Sequence, residues 1–297
     1  MKKIIITISI LVISCYTLVC NAGAAVKLGV LAKNGPAKAL KKWAATGEYL
    51  SQKIGQPVEI VPLEFDKVFP AVEAAEVDFF LVNSSMFITT KVKFGTSPIA
   101  TMINSRQGKS LKSFGGVVFT TSYNDGINSF SDLKGKTFAA VKKSSFGGWQ
   151  MAFKEFADAG IDPAKDFASL EFSGKHDNVV FAVQNEQVEA GTVRTDTLER
   201  MVASGAIAME DFKIIEKKDN ADFPFVCSTK LYPEWPLGKL ASTDNDLAIQ
   251  VVTALKELQP GDKAAKNAKI IGWTDPLDYS DVETLQKSLE VGAYSKK

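Results

Sequence analysis

The segment Ser144-Ser145-Phe146-Gly147-Gly148 places two hydroxyls and two glycines directly after the apolar run Thr137–Val141. It opens a stretch with helical spacing at Trp149, Ala152, Phe153 and Phe156. A helix that starts there leaves its first N–H groups unpaired and points its positive dipole end outward, which is the chemistry of an anion site. The hydroxyls add donors, and glycine lets backbone approach a ligand closely. The same residues also suit a plain helix cap with a glycine turn. Arg194 follows the apolar run Val188–Val193. It could offer a bidentate fork to an oxyanion, or pair with Asp196 or Glu199. His176 precedes a helical stretch and could donate to the same anion or cap its helix. Cys227 could touch a ligand, take part in redox chemistry, or be buried and inert. With a single histidine and no C-x-x-C or H-x-x-x-H pair, nothing calls for a metal or a cofactor.

These residues recur in a pattern. Val72–Asn83 reads VEAAEVDFFLVN and Val183–Arg194 reads VQNEQVEAGTVR. Both run Val, four residues, Val, an acid (Asp78, Glu189), three residues, Val, then a polar residue (Asn83, Arg194). The spacing implies one α/β unit present twice, each with a polar group at the same strand end. The pairing sets Asn83-Ser84-Ser85 opposite Arg194-Thr195-Asp196, and Asn34-Gly35 opposite Ser145-Phe146. The second copy holds the arginine, the histidine and the serine-glycine loop. It is therefore expected to take the ligand's charge while the first closes over it with neutral donors.

The elements needed to position these groups alternate strand and helix. In the first copy they are Val26–Ala32, a helix over 37–54 ended by Gly55, Val58–Leu63, a helix over 66–75, and Val77–Val82. In the second they are Thr137–Val141, the helix ending at Gly160, Ala168–Phe172, a helix from His176 to Gln187, and Val188–Val193. Such alternation gives parallel βαβ units, whose ligands bind beyond the carboxyl ends of the strands. Between the copies Pro98–Ile103 and Gly115–Thr121 read as strands. After them come Phe212–Glu216 and Phe225–Thr229. The second and the last of these four are expected to cross between lobes, and the remaining chain is expected to be mainly helical. Trp43 and Trp149 read as core, and Phe65, Phe87 and Phe146 as apolar cleft walls.

The chain starts Met1-Lys2-Lys3, continues with the apolar run Ile4–Cys20 and reaches Ala22-Gly23-Ala24. This pattern predicts a secretory signal peptide over residues 1–24. An uncleaved anchor and a lipoprotein at Cys15 are alternatives, and all three readings place the folded part outside the cytoplasm. Of 35 Lys and Arg, Lys2 and Lys3 leave with the signal, so 33 face 34 Asp and Glu. No basic excess points to nucleic acid. Cys15 and Cys20 leave too, so Cys227 has no internal disulfide partner.

The chain resembles the periplasmic substrate-binding proteins of phosphate, phosphite and phosphonate ABC transporters over essentially its whole mature length. The likeness is carried by Asn83-Ser84 after Val77-Asp78, by Ser144–Gly148 after Val141, by Ser173-Gly174-Lys175-His176-Asp177, and by Gln187–Gly191. It implies a type II periplasmic binding fold: two α/β lobes, joined by two crossing hinge strands, that close on an anion, with Ser144, Ser145 and His176 among the contacts. Where phosphonate binders carry Ser-Thr-Ser-Gly, this chain has Ser144-Ser145-Phe146-Gly147. Where they carry an acid for the ligand's amino group, it has Thr192–Glu199 with Arg194. That stretch and Cys227–Trp235 look like a subgroup that includes the sensing domains of tetrathionate-sensor histidine kinases. An arginine in place of the acid favours a more fully anionic ligand.

The expectation is a periplasmic, monomeric, non-catalytic binding protein with no cofactor. Residues 25–119 and 226–297 would form one lobe and 120–225 the other. It would capture a small oxyanion, phosphonate- or phosphate-like or a sulfur oxyanion, for an inner-membrane ABC permease or alternatively a sensor kinase. The expected contacts are Phe65, Asn83, Ser84, Ser85, Ser144, Ser145, Phe146, Gly147, His176, Arg194, Thr195 and Cys227. A cysteine enzyme with Cys227 as nucleophile and His176 as base lacks a signature around either residue.

Overall fold

The computed structural model describes residues 24–296, so the expected signal peptide, up to its last residue, and Cys15 and Cys20 lie outside the described residues. The first strands are β1 (Val26–Leu31), β2 (Val58–Leu63) and β3 (Phe79–Leu81). They pair in parallel with β1 in the middle, Leu28 lying opposite both Ile60 and Phe79. Next come β4 (Ser97–Arg106), β5 (Lys109–Leu111), β6 (Ser113–Phe114), β7 (Gly116–Thr121) and β8 (Thr137–Ala140). The rest are β9 (Ser169–Phe172), β10 (Ala190–Arg194), β11 (Phe212–Ile215), β12 (Tyr232–Pro233), β13 (Pro236–Lys239) and β14 (Ile270–Thr274).

Two sheets result. The first runs β14-β4-β13-β3-β1-β2, with β5 folded onto β4, and the second runs β11-β7-β10-β8-β9. The repeat is visible in them. The parallel trio β2-β1-β3 corresponds to β9-β8-β10, and each trio is followed by an antiparallel strand, β13 or β7. Helices cover both faces of each sheet. Trp43, Leu50, Val251 and Leu255 pack on one face of the first sheet, and Phe80, Phe87 and Val282 on the other. Val179, Val183 and Met201 cover one face of the second, and Trp149, Phe156 and Phe167 the other. Both Trp43 and Trp149 are core residues, as their spacing indicated.

The repeated acid has one job, performed twice. Asp78 accepts the Lys27 N–H at 2.7 Å while its own N–H bonds the Lys27 carbonyl. Glu189 accepts the Thr137 N–H at 3.0 Å while its own N–H bonds the Thr137 carbonyl. In each half a carboxylate holds the start of the central strand, so the repeat marks strand alignment as well as the polar strand ends.

The structure departs from the expected elements at several points. Phe225–Thr229 is not a strand. It lies along β7, but its hydroxyls replace the ladder: Val118 N–H donates to Ser228 Oγ at 3.0 Å and Gly116 N–H to Thr229 Oγ1 at 2.9 Å. The crossing element is instead the short ribbon of β6 and β12, with Tyr232 opposite Phe114. Strand β7, lying wholly in the second sheet, would be cut by a boundary after residue 119. The expected helical tail also contains β13 and β14. β13 opens at a proline and β14 follows closely on the helix Lys263–Ala268, and both are short, so neither shows a long alternating pattern.

Asp78→Ala and Glu189→Ala are each expected to lower stability by roughly 1 kcal/mol, because each leaves a strand-opening N–H without its carboxylate. Lying in different sheets, they should add to within about 0.5 kcal/mol. Thermal unfolding of the two single variants and the double variant checks this; a neutral pair would show that the repeated acids carry no alignment role.

Candidate anion-binding cleft

Between the sheets lies a cleft of three compartments that meet at Lys33, Asn34 and Arg194. The inner compartment, about 30 Å³, brings together seven of the expected residues: Phe65, Asn83, Ser145, Phe146, Gly147, His176 and Arg194. A lateral pocket of about 60 Å³ is walled by Trp43, Trp235, Met102 and Asn104. The outer chamber, about 590 Å³, is rimmed mostly by lysine and arginine.

The inner compartment is built on the helix start. Phe146–Gln150 forms a π-helical turn that runs into the α-helix Met151–Asp158. Gln150 N–H returns to the Ser145 carbonyl, and Ser145 makes no side-chain cap. Among the described residues the N–H groups of Phe146 to Trp149 find no acceptor. The helix start therefore keeps unpaired donors where the dipole is positive, and Phe146 and Gly147 bring it to the inner compartment. Gly148 makes this possible: a Cβ there would lie 2.5 Å from Val141 Cγ2 and 2.9 Å from His176 Cε1. Only glycine lets the helix start, the end of β8 and the histidine close up. From the other side Asn83 caps the helix Ser84–Phe94 through Met86 N–H and donates to the Ser144 carbonyl at 3.2 Å.

His176 is held by the Arg194 N–H, which donates to Nδ1 at 3.2 Å. That acceptor role leaves the proton on Nε2 as a free donor. Burial, then the nearby Lys33 and Arg194 charges, hold His176 well below the usual histidine range, so the ring is neutral at neutral pH. Lys33 is only partly covered, yet burial followed by repulsion from Arg106 and Arg194 pulls it down to about 7. Lys42 is lowered well below the usual lysine value for the same reasons. The cleft is thus crowded with basic side chains.

Arg194 departs from the expected fork. Its two terminal nitrogens both meet the Glu234 carboxylate, Nη1 at 3.4 Å and Nη2 closer, and its plane lies 4.1 Å from the Phe114 ring centroid. Burial opposes its charge, but Glu234 and Asp196 outweigh that and raise its pKa. Glu234 is completely buried and also accepts from Asn104 Nδ2 at 3.0 Å. Of the pairs considered from sequence, Asp196 lies 3.5 Å from Arg194 Nε, while Glu199 instead accepts the Val226 N–H at 2.8 Å.

Four expected contacts lie elsewhere, and a fifth lies behind the wall. Ser84 Oγ donates to the Pro233 carbonyl at 2.7 Å, and Ser85 Oγ accepts from Gln286 at 2.7 Å; both are buried. Thr195 Oγ1 accepts the Gly115 N–H at 3.2 Å. Cys227 sits in an apolar cluster with Leu111, Phe223 and Phe225, its thiol donating to the Thr229 carbonyl at 3.0 Å and its pKa raised by burial. Ser144 offers its carbonyl to Asn83 and does not line the inner compartment. Sequence reasoning placed the loop Lys33–Pro36 at the cleft but missed Lys38, Lys42, Arg106, Glu234 and Trp235. Lys38, Lys41 and Lys42 had a signal, being spaced i, i+3, i+4 directly after a loop expected at the cleft. They add basic side chains from the first lobe to a cleft whose basic groups were expected from the second.

Residues 28–282 match the profile of a family described as ABC transporter, phosphonate, periplasmic substrate-binding protein. The chain belongs to that family. This phosphonate-type binding protein is 30% identical over 264 residues to the tetrathionate sensor histidine kinase of Salmonella typhimurium, a match covering 88% of this chain but 43% of the relative. It thus spans less than half the length of that relative. In fold it is similar to XAC2383 from Xanthomonas citri, solved with ATP, at a TM-score of 0.74 and 16% identity over 92% of this chain and 100% of the other. It is similar also to PhnD1 from Prochlorococcus marinus, solved with methylphosphonate, at 0.71 and 15% over 90% and 98%. The family is one of substrate-binding proteins with the type II periplasmic binding fold, and no helix among the described residues is long and apolar enough to cross a membrane.

Two outcomes follow from the geometry. Arg194→Ala strands Glu234 as a buried unpaired charge and is expected to cost about 3–5 kcal/mol, whereas Arg194→Met with Glu234→Gln should recover most of it; chemical denaturation compares the two. For an anion of constant charge, affinity should rise as pH falls from about 8.5 to 6, as Lys33 gains its proton. Lys33 has a lower pKa folded than unfolded, so the unfolded chain binds more protons between about pH 7 and 10, and the free protein should grow more stable as pH rises there. Calorimetric titration and melting curves across this range would show opposite trends, both diminished in Lys33→Met.

Proposed function

We propose that this chain is a periplasmic, monomeric binding protein that captures an oxyanion in the cleft between its sheets and presents the closed form to a membrane partner. The observation that carries this reading is the run of N–H groups at Phe146–Trp149 that find no acceptor among the described residues, with Phe146 and Gly147 lining the inner compartment beside Lys33 and His176. Neutral donors of this kind hold an oxyanion without requiring proton exchange, and the surrounding cations draw it in. The lobes would be the chain on either side of the β6–β12 ribbon, about 25–113 with 234–297 and 114–233, with the ribbon as hinge. The ligand is phosphonate- or phosphate-like or a sulfur oxyanion. Arg194 acts mainly as the support of His176 and Glu234, and His176 Nε2 as a donor to the anion.

The partner is an inner-membrane ABC permease, as the family's description suggests. A second reading, delivery to a sensor histidine kinase, is favoured by the likeness to the tetrathionate sensor kinase. Catalysis is not part of the proposal. Cys227 is buried among apolar side chains and does not line the cleft that holds His176, so the nucleophile and base of a cysteine enzyme are not assembled.

A thermal-shift panel of phosphate, phosphite, methylphosphonate, sulfate, thiosulfate, tetrathionate and selenite tests the reading. A true ligand at 100 times its Kd should add about 2.7 kcal/mol. Absence of a shift with every anion would sink it.

A further inference from the structure

Six lysines face the outer chamber: Lys33, Lys38, Lys41, Lys42, Lys175 and Lys269. Among the described residues none of them has a carboxylate partner, because the acids at the rim are already engaged. Asp177 pairs with Arg200, and Asp196 lies 3.4 Å from Arg106 and 3.5 Å from Arg194. Of this set only Lys33 and Lys175 also line the inner compartment at the helix start; Lys38, Lys41, Lys42 and Lys269 line the outer chamber alone or with the lateral pocket. From Lys38 to Lys42 the charges continue along the helix Pro36–Ile54 for about 6 Å of axis.

The chamber is not large merely because the lobes stand apart. At its inner edge Asn83 already bonds Ser144 across the cleft, Lys142 Nζ lies 4.9 Å from the Phe65 ring centroid, and Arg106 reaches Asp196. With those contacts made, about 590 Å³ remains. That is within the roughly 300–1,000 Å³ range of pockets that enclose molecules much larger than a single oxyanion. Like charges held close together are unfavourable in the free protein; burial first, and then repulsion from neighbouring cations, lowers the pKa values of Lys33 and Lys42. An anion with several charges in a row would relieve that repulsion at each step.

We propose that the cleft takes an extended polyanion, a chain of linked oxyanion units whose first unit sits at the Phe146–Trp149 helix start and whose later units run out along Lys33, Lys42, Lys38 and Lys41. This deepens the proposed anion-binding function and rests on it. The linked units can be phosphorus or sulfur oxyanions, since lysine reads charge and spacing more than the central atom.

The experiment is calorimetric titration of the purified protein at fixed ionic strength in two arms: orthophosphate, pyrophosphate and tripolyphosphate, and sulfate against tetrathionate. In the arm that matches the ligand, affinity should increase with chain length. The variant Lys38→Ala/Lys41→Ala removes two exposed side chains and should weaken the longest member about tenfold while leaving the single-unit anion within about twofold. Single units bound as tightly as chains, or an equal loss for both in the variant, overturn the inference while leaving the anion site standing. Failure of every anion to bind overturns both.

Discussion

Glu234 is the point on which the two halves of this molecule are tied. Its carboxylate takes Arg194 from the end of β10 and Asn104 from β4. Its N–H bonds the Lys112 carbonyl beside the crossing ribbon, and its own carbonyl accepts from Tyr279 at 2.8 Å. A carboxylate with no solvent exposure is tolerated only because a guanidinium and an amide both reach it. The same pairing restrains Arg194, whose N–H in turn fixes the His176 ring and its tautomer. One buried charge therefore sets the donor geometry of the inner compartment.

Around that tie the charges divide into two kinds. Arg194, Arg106 and Arg200 are engaged with Glu234, Asp196 and Asp177 and act as structure. Among the described residues the chamber lysines form no ion pair with a carboxylate. Arginine suits the first role because its planar fork meets carboxylates bidentately. Lysine suits the second because its compact charge follows whatever anion arrives. Asp196 contributes from the left-handed region, φ 72°, a conformation open to aspartate that brings its carboxylate to both arginines.

Much of this was legible in the sequence. The duplicated unit, its alternation of strand and helix and the serine-glycine helix start follow from spacing and from the physics of helix ends. They are local, so a one-dimensional pattern carries them. The fate of each hydroxyl was not legible. Ser84, Ser85 and Thr195 sit at the expected strand ends, but each meets a protein partner brought from at least 80 residues away in the chain. Cys227 likewise joins the Phe223–Phe225 cluster because the return segment bonds β7 through its side chains.

The sequence by itself determined a twice-repeated α/β unit, the kinds of residue at its strand ends and a serine-glycine helix start. Only the tertiary structure decided which side chains are free to meet a ligand. Arg194 is spent on Glu234, 40 residues further on, while Lys38, Lys41 and Lys42 of the first helix line the cleft with no carboxylate partner among the described residues. Whether a charge is a ligand group or a structural group depends on which opposite charge the fold brings within reach, and no local pattern records that distance.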